Sequence, residues 1–455
     1  MTHPELDRVL AACEAHQQRD LGDLFRLLRQ PSISAQNIGV TECAELEMEL
    51  LTIAGFSPRL FPTAGHPMIF AQRCNAPGKP TVLIYGHYDV QPPEPLDKWH
   101  TPPFEPTIIG GRIFARGVGD NKGQHFAQVC GARAWLEAVG ELPVNVKFLL
   151  EGEEETGSPN LADFVAEHSD LLAADLVYTS DGPVLDDAHP EVVFGVRGVL
   201  SFELRAHGAN SDLHSGNWGG IAPNPAWTLV HLLSTMMDMN YDVKVAGFYD
   251  DVRPVTRLMA NAIDKIPLDT EVALASIGLD RLPPPAGVGY FERLMSRPTM
   301  TINGLTSGYQ GTSSKTVLPS MAIAKLDVRL VADQRSEVIY EKIVKHIRQH
   351  APEVEVHHQG AMEPSATPLD HPFAEPVRRA VARGFGKEPI DLPALGGSLP
   401  DAIWTRGLGL PSFLVPYCNS DERNHAPNEN MEVERYFAGI RTAACLLAEL
   451  AEFPS

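Results

Sequence analysis

Thr81-Val82-Leu83-Ile84-Tyr85-Gly86-His87-Tyr88-Asp89-Val90 is the stretch on which the reading of this chain turns. Its first six residues form a short apolar, β-branched run, the pattern of a strand buried on both faces, and a histidine and an aspartate follow at once. Residues 144–150 and 174–180 have the same character, and 411–415 form a fourth such run. Helical spacing at 4–30, 122–139, 159–170 and 373–385 separates them, so strand and helix alternate. That order predicts an α/β fold with a mostly parallel sheet covered on both faces. Ligands of such sheets bind beyond the carboxyl ends of the strands. His87, the Glu151–Glu155 cluster, Asp181 and His425 all follow strands there, and Asp120 precedes the helix expected from Lys122.

The middle of the chain reads differently. Strands at 199–208, 299–304, 321–331 and 354–360, with helices at 225–239 and 336–350, give the order β-α-β-β-α-β of a ferredoxin-like layer. A Pro-containing insertion, 243–298, interrupts it. The expected organisation is one catalytic domain in two parts, 1–197 and 367–455, interrupted by a lid domain at 198–366.

The chain has 455 residues with 37 basic and 58 acidic side chains, a formal net charge of −21. Nucleic acid and anionic membrane both require a basic footprint and are excluded as expected partners. The sequence begins without a basic head leading into an apolar stretch, and no apolar run is long enough to span a bilayer. Six cysteines lie far apart without a CxxC pair, as reduced core residues do. The expected compartment is the cytoplasm.

Singly, each polar candidate has an ordinary explanation: a core histidine for His87, a helix cap for Asp120, a turn for Asp181-Gly182-Pro183. Four carboxylates within Glu151–Glu155 are harder to explain, because they repel one another unless a cation compensates them. Two divalent ions about 3.5–4 Å apart need a shared carboxylate and further N or O ligands on each side. Two histidines and three acidic residues meet that need, Asp89 is suited to accept the second N–H of His87, and one carboxylate must stay free to act on water. Without a cysteine ligand zinc fits, as do manganese and cobalt. Gly396-Gly397-Ser398 lacks the spacing of a nucleophile elbow, and Gly117-Val118-Gly119 lacks the third glycine of a dinucleotide fingerprint.

GHYDV at 86–90, DKWHTPPFEP at 97–106, RGVGDNKG at 116–123, EGEEETGS at 151–158 and SDGP at 180–183 resemble, in order, the di-zinc peptidase family. That family includes carnosinase-like dipeptidases, glutamate carboxypeptidase, acetylornithine deacetylase and succinyl-diaminopimelate desuccinylase. The match continues through DLHSG at 212–216, KTVLP at 315–319, DVRLV at 327–331, GGSLP at 396–400 and HAPNE at 425–429, and the carnosinase-like branch is nearest. The resemblance implies that His87 and Asp181 hold one ion and Glu155 and His425 the other, with Asp120 bridging. It makes Glu154 the general base, which spacing alone does not separate from Glu153 or Glu155, and Asp89 the residue orienting His87. It further implies substrate contacts from His214, Arg329, Thr316 and Ser398, and a homodimer through the lid in which His214 reaches the partner's site. The expected activity is amide hydrolysis of dipeptides or short peptides. The alternatives are an N-acyl amino acid deacylase using the same two-ion chemistry and, more remotely, a non-catalytic binding protein.

Overall fold

The computed structural model describes residues 4–453; residues 1–3 and 454–455 of the expected catalytic domain lie outside them. An eight-stranded sheet runs in the order Arg59–Phe61, Met68–Arg73, Asn145–Glu151, Thr81–His87, Leu176–Thr179, Ser412–Leu414, Glu191–Val193, Ile390–Leu392. Its centre is parallel: Thr81–His87 pairs in parallel with both Asn145–Glu151 and Leu176–Thr179, and Ser412–Leu414 extends the run. Antiparallel strands 59–61 and 68–73 close one edge. The all-apolar strands are buried because helices cover both faces. Leu24, Phe126, Val129, Ile440 and Leu447 pack with Ile84 and Phe148 on one side, and Leu161, Phe164 and Trp404 with Leu83 and Leu149 on the other.

The apolar pattern at 4–30 resolves into two helices, Pro4–Ala15 and Gln17–Arg29, broken at His16. Helix Lys122–Ala138 approaches the sheet so closely that a Cβ on Gly86 would lie 2.6 Å from that of His125 and 3.0 Å from Asn121 Oδ1. Only glycine admits this contact, and it brings Asn121 to the strand end, where its Oδ1 accepts the His87 N–H (3.3 Å) and its Nδ2 donates to Ser180 O (2.6 Å).

A separate four-stranded antiparallel sheet runs in the order Thr299–Ser307, Met321–Leu330, Gly198–His207, Glu355–Met362, the ferredoxin-like arrangement. Alternate residues Leu200, Phe202, Leu204, Leu326 and Val328 bury against Leu229, Leu232, Ile339 and Ile343 of helices Pro225–Met236 and Ser336–His350. Arg329 therefore points from the opposite face. The insertion contains three short helices, Arg257–Ile263, Thr270–Ser276 and Tyr290–Ser296, which periodicity did not define. A third, small sheet joins Asn430–Glu432, Arg112–Phe114 and Thr107–Ile109, bringing the 116–120 and 425–429 loops side by side. Among the described residues no helix is long and apolar enough to cross a membrane. None of the six cysteines is paired, and all but Cys74 are buried.

Candidate metal centre

His87 ends its strand fully buried, and its Nδ1 lies 3.2 Å from Asp89 O and 3.3 Å from Asp89 Oδ1. An N–H on Nδ1 serves those acceptors and leaves Nε2 as a free lone pair. Nε2 lies 3.1 Å from Asp120 Oδ1 and 3.6 Å from Asp181 Oδ2. It nevertheless makes no hydrogen bond, although it is buried. An unpartnered imidazole nitrogen between two carboxylates is the environment a cation satisfies.

On the other side of Asp120, His425 Nε2 lies 3.0 Å from Asp120 Oδ2 and 3.3 Å from Glu155 Oε2. The ligand atoms of His87, Asp120 and Asp181 lie within 4.8 Å of one another, as do those of Asp120, Glu155 and His425. The two sets share Asp120, whose two oxygens face different histidines. His425 occupies the mouth, with its side chain 56% exposed, on a loop held in left-handed backbone at His425 (φ 57°) and Asn428 (φ 68°). Asn428 secures that loop: its Oδ1 accepts the His100 N–H at 2.7 Å and its Nδ2 donates to Lys98 O at 2.9 Å.

The electrostatics describe a site short of positive charge. Burial, then Asp120, pushes both Asp181 and Glu155 above the usual carboxylate range. Glu154, half-buried beside them, is raised well above it by burial and by Asp181, Asp120 and Glu155, with His87 opposing. Burial works against the Asp120 carboxylate too, but His425 and His87 outweigh it and hold its pKa low. Asp120 and Glu155 in turn push His425 up to about 10. Two imidazole nitrogens and three carboxylates, mutually repelling without a counter-charge, fit a pair of divalent cations.

The four acidic side chains within Glu151–Glu155, at the end of the strand Asn145–Glu151, do not act together. Glu151 receives hydrogen bonds from the Tyr85 hydroxyl and from Ser158 Oγ (2.9 Å), and Glu153 from Asn160 Nδ2 (2.6 Å). Only Glu154 and Glu155 turn toward the metal ligands. Asp89 arranges them: its Oδ1 accepts the Glu154 N–H at 3.2 Å and its Oδ2 the Glu155 N–H at 3.1 Å. Gln91 Nε2 then donates to Glu155 Oε2 at 2.8 Å. The sequence gives no sign of this role, because a lone polar residue in a loop carries no spacing signal.

Arg329 Nη1 donates to Ser398 Oγ at 2.9 Å, joining the lid to the loop before Pro400. His214 is exposed on a two-stranded ribbon of the lid, Leu213–His214 with Val317–Leu318, and Thr316 is exposed just before its second strand; both lie outside the two ligand sets. His214 Nδ1 accepts the Gly216 N–H at 3.0 Å.

Residues 83–449 match the model of Peptidase family M20/M25/M40. Human Beta-Ala-His dipeptidase is 28% identical over 439 residues, covering 94% of this chain and 85% of its own length. Cys-Gly metallodipeptidase dug1 of Schizosaccharomyces pombe is 28% identical over 471 residues and covers 98% of each chain. Among solved structures, an M20 family metallo-carboxypeptidase from Sulfolobus solfataricus superposes with a TM-score of 0.85 at 35% identity, covering 95% of this chain and 99% of its own. Human carnosine dipeptidase 1 does so with a TM-score of 0.80 at 26% identity, covering 98% and 99%. A family model that spans most of the chain, on a fold whose strand ends assemble two ligand sets around one aspartate, shows that this chain belongs to Peptidase family M20/M25/M40.

Proposed function

We propose that the protein is a two-zinc dipeptidase in which Glu154 is the general base. The observation that carries this is the pair of ligand sets sharing Asp120, with a carboxyl of raised pKa beside them. Two divalent ions bound there supply Lewis acidity and lower the pKa of a bound water toward about 7. His87 and Asp181 would hold one, Glu155 and His425 the other, with Asp120 shared between them; manganese or cobalt suits the same donors. Glu154 takes the proton of the attacking water and returns it to the leaving amine, work for which a carboxyl whose pKa burial raises is suited. Asp89 orients His87 and holds the Glu154–Glu155 turn.

Arg329 and Ser398 grip the substrate's terminal carboxylate. The names of the relatives, two dipeptidases and a metallo-carboxypeptidase, agree with a substrate that ends in a free carboxylate. The catalytic domain spans 1–197 and 367–455 and the lid 198–366. The protein is a homodimer through that lid, His214 reaches the partner's site and donates to the developing oxyanion, and Thr316 helps to bind substrate. Support comes from their exposure and from apolar Trp227, Val230, Ile302 and Leu305, which are exposed on a lid helix and the lid's edge strand. Unpaired cysteines agree with the cytoplasm as its compartment.

The test is Glu154→Gln. It should bind two equivalents of metal as the wild type does and lose about 10²–10⁴-fold in kcat, the usual contribution of general base catalysis. Retention of most turnover would remove Glu154 from the mechanism.

A further inference from the structure

Glu429, the last residue of His-Ala-Pro-Asn-Glu, has no role in the mechanism above, yet its carboxylate is fully buried and accepts four N–H groups. Oε2 accepts Arg116 Nη1 at 2.6 Å and the Gly117 N–H at 2.9 Å. Oε1 accepts the Gly119 N–H at 2.9 Å and the Asp120 N–H at 3.1 Å. The Glu429 carbonyl also accepts the Ala115 N–H at 3.2 Å, continuing the pairing of Asn430 with Phe114. Arg116 is itself buried and lies over the Trp99 ring, with its Cζ 5.4 Å from the ring centroid.

We propose that Glu429 is the positioning residue for Asp120 and couples the two ion sites. The inference rests on the two-ion reading of the cluster. The chain between Arg116 and Asp120 has two glycines and no regular structure, so its backbone has many conformations available to it. One carboxylate collects its N–H groups and aims the Asp120 side chain, with one oxygen toward His87 and the other toward His425. His425 lies four residues before Glu429 in the same loop, so a single segment carries a ligand of one site and the anchor of the ligand shared by both. A carboxylate is required because donors approach both oxygens. Glutamine has the same shape, but its NH2 would confront two of the four donors.

The experiment titrates metal-stripped wild type, Glu429→Gln and Arg116→Gln with Co2+, following the visible spectrum and heat of each equivalent, with circular dichroism as the check on folding. Wild type binds two equivalents. E429Q, folded, should bind the second at least ten-fold more weakly with an altered cobalt spectrum. R116Q should keep two-equivalent binding, since the three backbone N–H groups still find their carboxylate. An unchanged E429Q titration would overturn the proposal. So would an equal loss in R116Q, because the effect would then follow the ion pair and not the placement of Asp120. If E429Q fails to fold, Glu429→Asp, one methylene short of its donors, is read the same way: a weakened second equivalent is expected, and a wild-type titration overturns the proposal. Wild type that binds no cobalt would instead refute the two-ion reading itself.

Discussion

Asp89 serves three neighbours at once: the His87 ring, the Glu154 N–H and the Glu155 N–H. Asp89→Asn keeps the shape but replaces one acceptor with a donor, so either an amide of the Glu154–Glu155 turn or the ring loses its partner. Metal affinity should fall about 10- to 100-fold, as for other groups that orient a ligand, measured by competition with a chelator; wild-type affinity would contradict this role. Glu151 gives a pH prediction. Burial, opposed by the Tyr85 and Ser158 hydrogen bonds, raises its pKa from 4.5 to about 7. The folded state thus favours the protonated form, so its contribution to stability is present below about pH 4.5 and is lost as pH rises through about 7. Metal-free Glu151→Gln cannot titrate and should gain on metal-free wild type over that window, by on the order of 3 kcal/mol at its upper end, in urea unfolding at pH 5 and pH 8. A difference independent of pH would show that Glu151 does not titrate in that range. Residue types and strand-end positions made His87, Asp120, Asp181 and His425 legible in the sequence. The division of labour within Glu151–Glu155 was not, because it depends on which side chains Tyr85, Ser158 and Asn160 draw away.

At the scale of elements, the long apolar strands and amphipathic helices could be read because each repeats its period several times. The strands Thr107–Ile109, Arg112–Phe114 and Asn430–Glu432 have three residues each, too few to show a period, yet they join the loops that carry Asp120 and His425. The alternation of Met321–Leu330 was legible and places Arg329 on the face away from the lid helices, where it meets Ser398. Replacing Arg329 with Met removes a charged hydrogen-bond donor from the proposed carboxylate grip. KM for dipeptides with a free C-terminus should rise about 10- to 100-fold, in line with the loss of a charge-assisted hydrogen bond, while C-terminally amidated analogues should be turned over as poorly as by the wild type. Equal losses on both substrates would place Arg329 outside the carboxylate site.

Over the whole molecule, an interrupted chain provides a ligand-bearing sheet and a separate lid sheet with an edge strand at Thr299–Ser307. Ile302 and Leu305 on that edge are 50% and 53% exposed, and Trp227 on the lid helix Pro225–Met236 is 60% exposed, large apolar side chains of the kind found at interfaces. If the proposed dimer forms through this face, Ile302→Lys combined with Trp227→Glu should give a monomer in sedimentation that still binds two metal equivalents but has lost turnover, since the proposed reach of His214 into a second site would be lost. A fully active monomer would show each site to be complete in one chain. The division into two sheets was legible from the change in strand pattern near residue 198; the packing of the 243–298 insertion was not, since its helices are seven residues long. The most direct measurement is hydrolysis of a dipeptide panel, alongside N-acetyl and N-succinyl amino acids, by metal-stripped protein to which zinc, manganese or cobalt is returned stepwise. Dipeptide cleavage should be absent after stripping and restored as the second equivalent is added. Cleavage that survives stripping, or two bound ions with turnover of N-acyl amino acids alone, would contradict a two-metal dipeptidase.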